Sequence, residues 1–327
     1  GVKLDIERGQ RVFPRSGKAW DIANALVEQC EEFGVKIEYN ARVSDILTLD
    51  DKVYGVKYFN KRGFERKEEA ENVIIATGGV SYPGTGSTGD GYLFADRVGH
   101  TIEEVRPSLT PLRTSHPQRK FLDGLLLKNI NAKLFVENEL VREEFGEISF
   151  SDRGIEGAVA LRLSRDAVDA LIEEKRVKMV IDLKPALEEN KLDERIQRDL
   201  EMYKNRTMEN ALTDLLPRSM IPVVLRRLEI DPEMQANSLT KQKRRAMVEL
   251  LKGFSVEITG KRPVAEAIIT SGGVKVSEID PKTMESKIVP GLYFAGEIID
   301  CDAYTGGFNL QIAWATAYAA GMAVSEV

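Results

Sequence analysis

The sequence predicts an α/β fold, α+β overall, with a discontinuous main domain, and three observations carry that prediction. Asn72-Val-Ile-Ile-Ala-Thr77 is a short, continuously apolar run that ends in Gly78-Gly79, the pattern of a buried strand leading into a turn. A second such run, Gly291-Leu-Tyr-Phe-Ala295, passes through Gly296-Glu297 and Gly306-Gly307 into a helix rich in small residues, Leu310 to Ala323. From about Pro107 the texture changes to short alternating runs, and then to charge-rich helical spacing. A chain of 327 residues is also too long for one comfortable core. The expected organisation is a domain formed by residues 1–107 and 264–327, interrupted by a β segment at 108–185 and a helical segment at 186–263.

Each element has its own warrant. Ser16 precedes apolar residues at Ala19, Ile22, Ala23, Leu26, Val27, Cys30 and Phe33, one face of a helix that Ser16 would cap and Gly34 would end. Val35 to Tyr39 alternates as a strand, and Ala41 to Leu49 and Lys52 to Phe59 read as two more, joined at Asp50-Asp51. Ser81-Tyr-Pro-Gly-Thr-Gly-Ser-Thr-Gly-Asp90 is the most glycine-dense stretch. Gly84 to Gly89 matches the letters of a dinucleotide fingerprint, but Ser81-Tyr-Pro does not read as the end of a strand. The Gly-Lys-Ser/Thr ending of a phosphate loop is missing too, so a shaped loop beside a site is the better reading. Ala132 to Val136, Glu147 to Phe150 and Val177 to Ile181 alternate as strands of a small barrel or sandwich, with one helix near 157–174. Leu192, Ile196, Leu200 and Tyr203 stand at helical spacing. Ala267 to Thr270, followed by Gly272-Gly273, returns to strand.

The chemistry is concentrated at the ends of the two apolar strands. Glycines let backbone approach a flat ligand closely. The first N–H groups of a helix lack intrahelical partners, and the helix dipole favours negative charge there. A reduced flavin carries such charge at its N1/O2 edge, and Glu297 could accept hydrogen bonds from ribityl or ribose hydroxyls. Local spacing alone fits a strand, turn and helix without a ligand equally well. The pairing of Gly296-Glu297 with Gly306-Gly-Phe-Asn309 favours flavin. Ala313, Ala315, Ala317, Ala319 and Ala320 would let the helix pack closely under the sheet. Tyr304 and Asp300 are candidate proton donors or orienters in the intervening loop. Cys301 reads as a small packing residue rather than a nucleophile, and His100 and His116 have no evident partner.

Composition narrows the alternatives. The formal charge of −6 argues against a general nucleic-acid footprint. Two cysteines and two histidines make neither a disulfide framework nor a metal site, and a reducing cytoplasm is the expected compartment. The longest apolar run, Ala313 to Val324, is shorter than a membrane span, and no signal peptide is expected. The first residue, Gly1, is not an initiator Met, which suggests processing, a tag or truncation.

Arg11-Val-Phe-Pro-Arg-Ser-Gly-Lys-Ala19, Ala76 to Gly91, Ile268 to Asp280 and Gly291 to Leu310 closely resemble the BaiN/YhiN-like family of bacterial flavoproteins. The resemblance covers essentially the whole chain, and it is specific at both ends. It implies a Rossmann-like FAD domain interrupted by a β-barrel and a helical subdomain, with FAD-mediated redox chemistry and NAD(P)H as a possible electron source. Carried over residue by residue, it implies FAD contacts at Val43, Ala76, Thr77, Gly78, Gly296, Glu297, Gly306, Gly307, Phe308, Asn309 and Leu310. Family members are linked to bile-acid intermediate reduction, aminoacetone oxidation and reduction of a ribosomal-RNA uridine, so membership does not choose the substrate. A small organic molecule is the leading expectation. An RNA uridine is the second, with Arg162, Arg165, Lys241, Lys243, Arg244 and Arg245 as a candidate basic patch; the run 241–245 otherwise reads as a solvated helical face. A non-catalytic fragment without FAD is the third. The family's N-terminal Gly-x-Gly-x-x-Gly unit has no counterpart here, which predicts the ordered remainder of a longer protein. Glu156 and Ala158 replace the Ser and Pro of a family turn, which weakens any substrate contact there. No metal is expected, and the oligomeric state is open.

Overall fold

The computed structural model describes residues 1–7, 10–115 and 119–325, and His116 lies outside them. The chain divides into two compact units, Gly1–Arg106 with Ile269–Val327, and Pro107–Ile268.

The second unit is built on a closed six-stranded barrel. Around it run Glu139–Ser151, Gly154–Glu156, Leu112–Thr114, Phe254–Lys261, Val177–Asp182 and Leu126–Val136. Alternation explains the packing. Val177, Met179 and Ile181 are buried, and they stand opposite buried Ile258, Val256 and Phe254. The helix Ala158–Ile172 lays Val159, Ala160, Leu163, Ala167 and Val168 into the same core. The helices Glu189–Met202 and Lys241–Lys252 are tied by Arg244 Nε and Nη2 on Asp193 at 2.7 and 3.0 Å. The barrel takes the strand Phe254–Lys261 from beyond these helices, inside the stretch the sequence reading gave to the helical segment. The helices are therefore an excursion between two neighbouring barrel strands. The partners of Phe254–Lys261, Val177–Asp182 and Leu112–Thr114, both lie far back along the chain, so the strand carries no local sign of them.

The first unit is thinner. Val73–Ile75 pairs in parallel with Leu292–Phe294. Arg42–Leu49, Lys52–Phe59 and Glu65–Glu69 form an antiparallel sheet whose first hairpin turns on Asp50 and Asp51, with φ of 51° and 60°, the left-handed pair that a tight hairpin requires. Its core gathers Ile46, Val53, Ile75, Phe94, Val274, Leu292, Phe294 and Ile298.

Several expectations are corrected here. Val35 to Tyr39 forms no strand. Its alternation is real, but among the described residues no strand pairs with it. The helix Ala19–Glu32 begins after Lys18 without a side-chain cap, because Ser16 Oγ bonds Lys18 N–H and the Asp21 carboxylate instead. Its apolar stripe is not a core face: the helix buries no residue, and Leu26 stays 45% exposed. Ile74, in the middle of its strand, is likewise exposed. The closing helix Phe308–Ser325 buries only Ala320, so its run of small residues does not seat it tightly along its length.

Candidate functional site

The parallel strand pair delivers two turns side by side. Ala295 N–H donates to the Ile75 carbonyl at 3.1 Å, so the chain leaves the sheet at Ala76 and at Gly296 together. Gly296, left-handed at φ 78°, donates its N–H to Thr316 Oγ1 at 2.9 Å, which pins the turn to the closing helix. Glu297 is half-buried, and its Oε1 accepts the Thr270 N–H at 2.6 Å. Its second oxygen has no hydrogen bond among the described residues and is available to a ligand hydroxyl. Tyr92 OH meets the Glu297 carbonyl at 3.5 Å. Burial, and then the carboxylates of Glu297 and Asp300, push the Tyr92 phenol above the usual tyrosine range. It therefore stays protonated, a donor rather than a base.

The loop 301–307 brings the chain to the start of the closing helix. Asn309 holds it: Oδ1 accepts Ala303 N–H and Nδ2 donates to Ala303 O, each at 2.8 Å. Both ends of the amide are used, so Asn309 shapes the loop rather than offering its side chain to a ligand. Gly306 and Gly307, at φ 131° and 91°, turn the chain into the helix. Gln311 N–H bonds Gly307 O. The N–H groups of Phe308, Asn309 and Leu310 have no acceptor among the described residues, as at any helix start, and Gly306, Gly307, Phe308 and Leu310 are exposed. Asp302 Oδ1 accepts from Ser271 Oγ at 3.1 Å. Asp300 is half-buried, and Tyr304 and Cys301 are exposed.

The first turn is packed to its limit. A Cβ on Gly91 would lie 2.1 Å from Thr77 Oγ1 and 2.6 Å from Ile298 Cδ1, so only glycine lets the helix Asp90–Arg97 approach the strand ends. The glycine-rich run enters that helix from a short turn at Pro83–Thr85, with left-handed Gly89 as its cap, not from a strand. Ala76 and Thr77 are exposed, and Gly78 is left-handed at φ 71°. Val43 is half-buried against the apolar core of this unit. All the residues expected to hold FAD thus belong to the first unit.

Two polar hubs in this unit escaped the sequence reading. Thr270 is one. The other is His100, whose side chain is fully buried. Its Nδ1 lies 3.1 Å from Glu278 Oε2 and its Nε2 lies 2.8 Å from Ser286 Oγ. Ser286 Oγ already accepts the N–H groups of Ile288 and Val289 at 3.0 and 2.8 Å. Its proton must go to Nε2, which leaves Nδ1–H to donate to Glu278 and the ring neutral. Burial lowers the His100 pKa against the opposing pull of Glu278. With its hydroxyl saturated and enclosed, Ser286 is a structural pin and not a nucleophile. Among the described residues no three His, Cys, Asp or Glu side chains converge as metal ligands, and no helix is long and apolar enough to cross a membrane.

The family described as HI0933-like protein Rossmann domain matches residues 1–323. The chain belongs to that family. This is the BaiN-like group of FAD-dependent oxidoreductases that the sequence motifs resemble. The 3-dehydro-bile acid delta(4,6)-reductase of Clostridium scindens is 30% identical over 320 residues, which span 98% of this chain and 76% of that protein. The ribosomal RNA dihydrouridine synthase of Haemophilus influenzae is 30% identical over 310 residues, or 94% of this chain and 73% of the relative. Among solved structures, the open conformation of a flavocytochrome c3 fumarate reductase aligns with a TM-score of 0.41 at 17% identity, over 98% of this chain and 59% of that one.

Proposed function

We propose that this chain holds FAD along the two turns and the closing helix start, and serves the oxidation or reduction of a small organic molecule with NAD(P)H as electron source. One observation carries the reading: the helix whose first N–H groups, at residues 308–310, have no acceptor among the described residues is tied through Thr316 to the Gly296 turn, where the second oxygen of Glu297 is left without a hydrogen bond. That donor set fits the group. The N–H cluster and helix dipole suit the N1/O2 edge of a flavin, and the carboxylate suits a ribityl hydroxyl. When bound, FAD would supply hydride or electron transfer. The residues of this chain bind and orient: Asn309 fixes the loop, Thr316 fixes Gly296, and protonated Tyr92 supports the Glu297 turn. Tyr304, exposed in the same loop, is the candidate to hand a proton to substrate. The test is the visible spectrum of the purified protein with FAD, before and after NAD(P)H. Flavin absorbance that bleaches supports the reading; a preparation left colourless after added FAD favours a fragment that no longer binds it.

A second reading, reduction of an RNA uridine, is favoured by the similarity to a ribosomal RNA dihydrouridine synthase. The side chains expected to form its basic patch are partly spent within the protein. Arg162 pairs with Glu144, Arg244 with Asp193, and Lys243 donates to the Leu228 carbonyl. Lys241 and Arg245 line a shallow depression with Glu249. Steeply salt-dependent RNA binding would support this reading, and absence of binding at low salt would remove it.

A further inference from the structure

We infer that Thr270 is a positioning residue for the flavin-facing turns, acting through the backbone of residues 79–81; the inference rests on the FAD reading above. Thr270 is buried in the strand Ile269–Val274. Its Oγ1 accepts the N–H of Val80 at 2.9 Å and of Ser81 at 3.2 Å. With both lone pairs engaged, the hydroxyl proton goes to Ser81 Oγ, 3.0 Å away. The N–H of Thr270 donates to Glu297 Oε1 at 2.6 Å. One residue therefore fixes the turn after the first parallel strand and the carboxylate after the second.

The junction has no slack. A Cβ on Gly79 would lie 2.2 Å from Thr270 Oγ1 and 2.8 Å from Glu297 Oε1. The geometry decides which Glu297 oxygen is left for a ligand, because the other is held by Thr270. It also sets the path of Ala76-Thr77-Gly78, whose far end is clamped at Val80 and Ser81. Valine at 270 would keep the shape but leave two backbone N–H groups without an acceptor. Unpaired N–H groups at a buried site are costly enough to displace a turn. Serine would keep the hydroxyl and the bonds.

The test compares T270V and T270S with the unaltered protein in two measurements. In the FAD-free protein, amide exchange at Val80 and Ser81 is expected to rise on the order of tenfold in T270V and to change little in T270S. In FAD titrations followed by flavin fluorescence, T270V is expected to bind roughly tenfold more weakly. Its bound flavin should also show a displaced absorption envelope, while T270S keeps both properties. S81A, which removes only the hydroxyl that Thr270 donates to, is expected to weaken FAD severalfold with the fold intact. It carries the test should T270V fail to fold, and unchanged binding in S81A then overturns the inference. Faster exchange in T270V with unaltered FAD affinity and absorption overturns the positioning role and leaves the FAD reading standing, and so does unchanged exchange. If the unaltered protein takes up no FAD, the FAD reading itself fails and the role of Thr270 falls with it.

Discussion

The helix Ala158–Ile172 of the barrel unit and the helix Ala19–Glu32 of the first unit are nearly equal in length and both carry an apolar stripe. One buries seven residues and the other none. The same contrast runs through the two units. The barrel unit is held by apolar side chains from all its strands and helices. The unit that carries the candidate site has a smaller apolar cluster, supplemented by polar hubs: Thr270 with Ser81 and Glu297, His100 with Glu278 and Ser286, and Asn309 with Ala303. Apolar packing is tolerant of direction, whereas hydrogen bonds specify it. A site that must aim N–H groups and one carboxylate is better served by the second kind of bond.

Four substitutions or conditions would break or sharpen this contrast. The largest effect is expected in the barrel. Leu163→Ala opens a cavity at a fully buried position and should cost about 3 kcal/mol, read by chemical denaturation followed by circular dichroism. Next comes Gly91→Ala, where the added methyl meets Thr77 and Ile298. It should cost about 2 kcal/mol by overpacking. Both tryptophans, Trp20 and Trp314, lie in the first unit, so their fluorescence should follow this loss and be blind to the first.

A smaller effect is expected from pH. The folded His100 binds its proton less readily than an unfolded histidine. Stability from this hub is therefore complete above about pH 6.5 and falls as pH drops through that value towards the lower folded one. Glu278 works in the same sense further down. Burial raises its pKa, but the bonds from Thr101 and His100 outweigh burial and hold the carboxyl below its ordinary range. Tryptophan fluorescence unfolding at a series of pH values should show acid loss, and His100→Gln should flatten it. The smallest effect is Leu26→Ala on the exposed stripe, expected within about 0.5 kcal/mol. A loss comparable to that of Leu163→Ala would mean the stripe is covered in solution, and the contrast between the units would fail.

The strand ends, the Asp50-Asp51 hairpin and the closing helix were legible because each is written in a handful of consecutive residues. So were the glycines of the candidate site, whose spacing states where backbone must turn. The hubs were not legible. His100 finds its partners 178 and 186 residues further on, and Thr270 reaches back 190 residues to Val80. No local pattern marks such pairs, and a single histidine or threonine reads as unremarkable until the fold brings its partner near. The stripe of Ala19–Glu32 misled for the opposite reason: periodicity shows that a face is apolar, not that something covers it.

The closed barrel has one more consequence. A sheet that meets itself offers no row of unsatisfied backbone groups to a passing chain, whereas the parallel pair is covered along Leu292–Phe294 by residues 284–286 and has no ladder partner along the other side of Val73–Ile75 among the described residues. In concentrated solution or during synthesis, unwanted strand recruitment and precipitation should therefore begin at open edges such as that of Val73–Ile75 rather than at the barrel, and charged substitutions meant to improve handling belong along that edge.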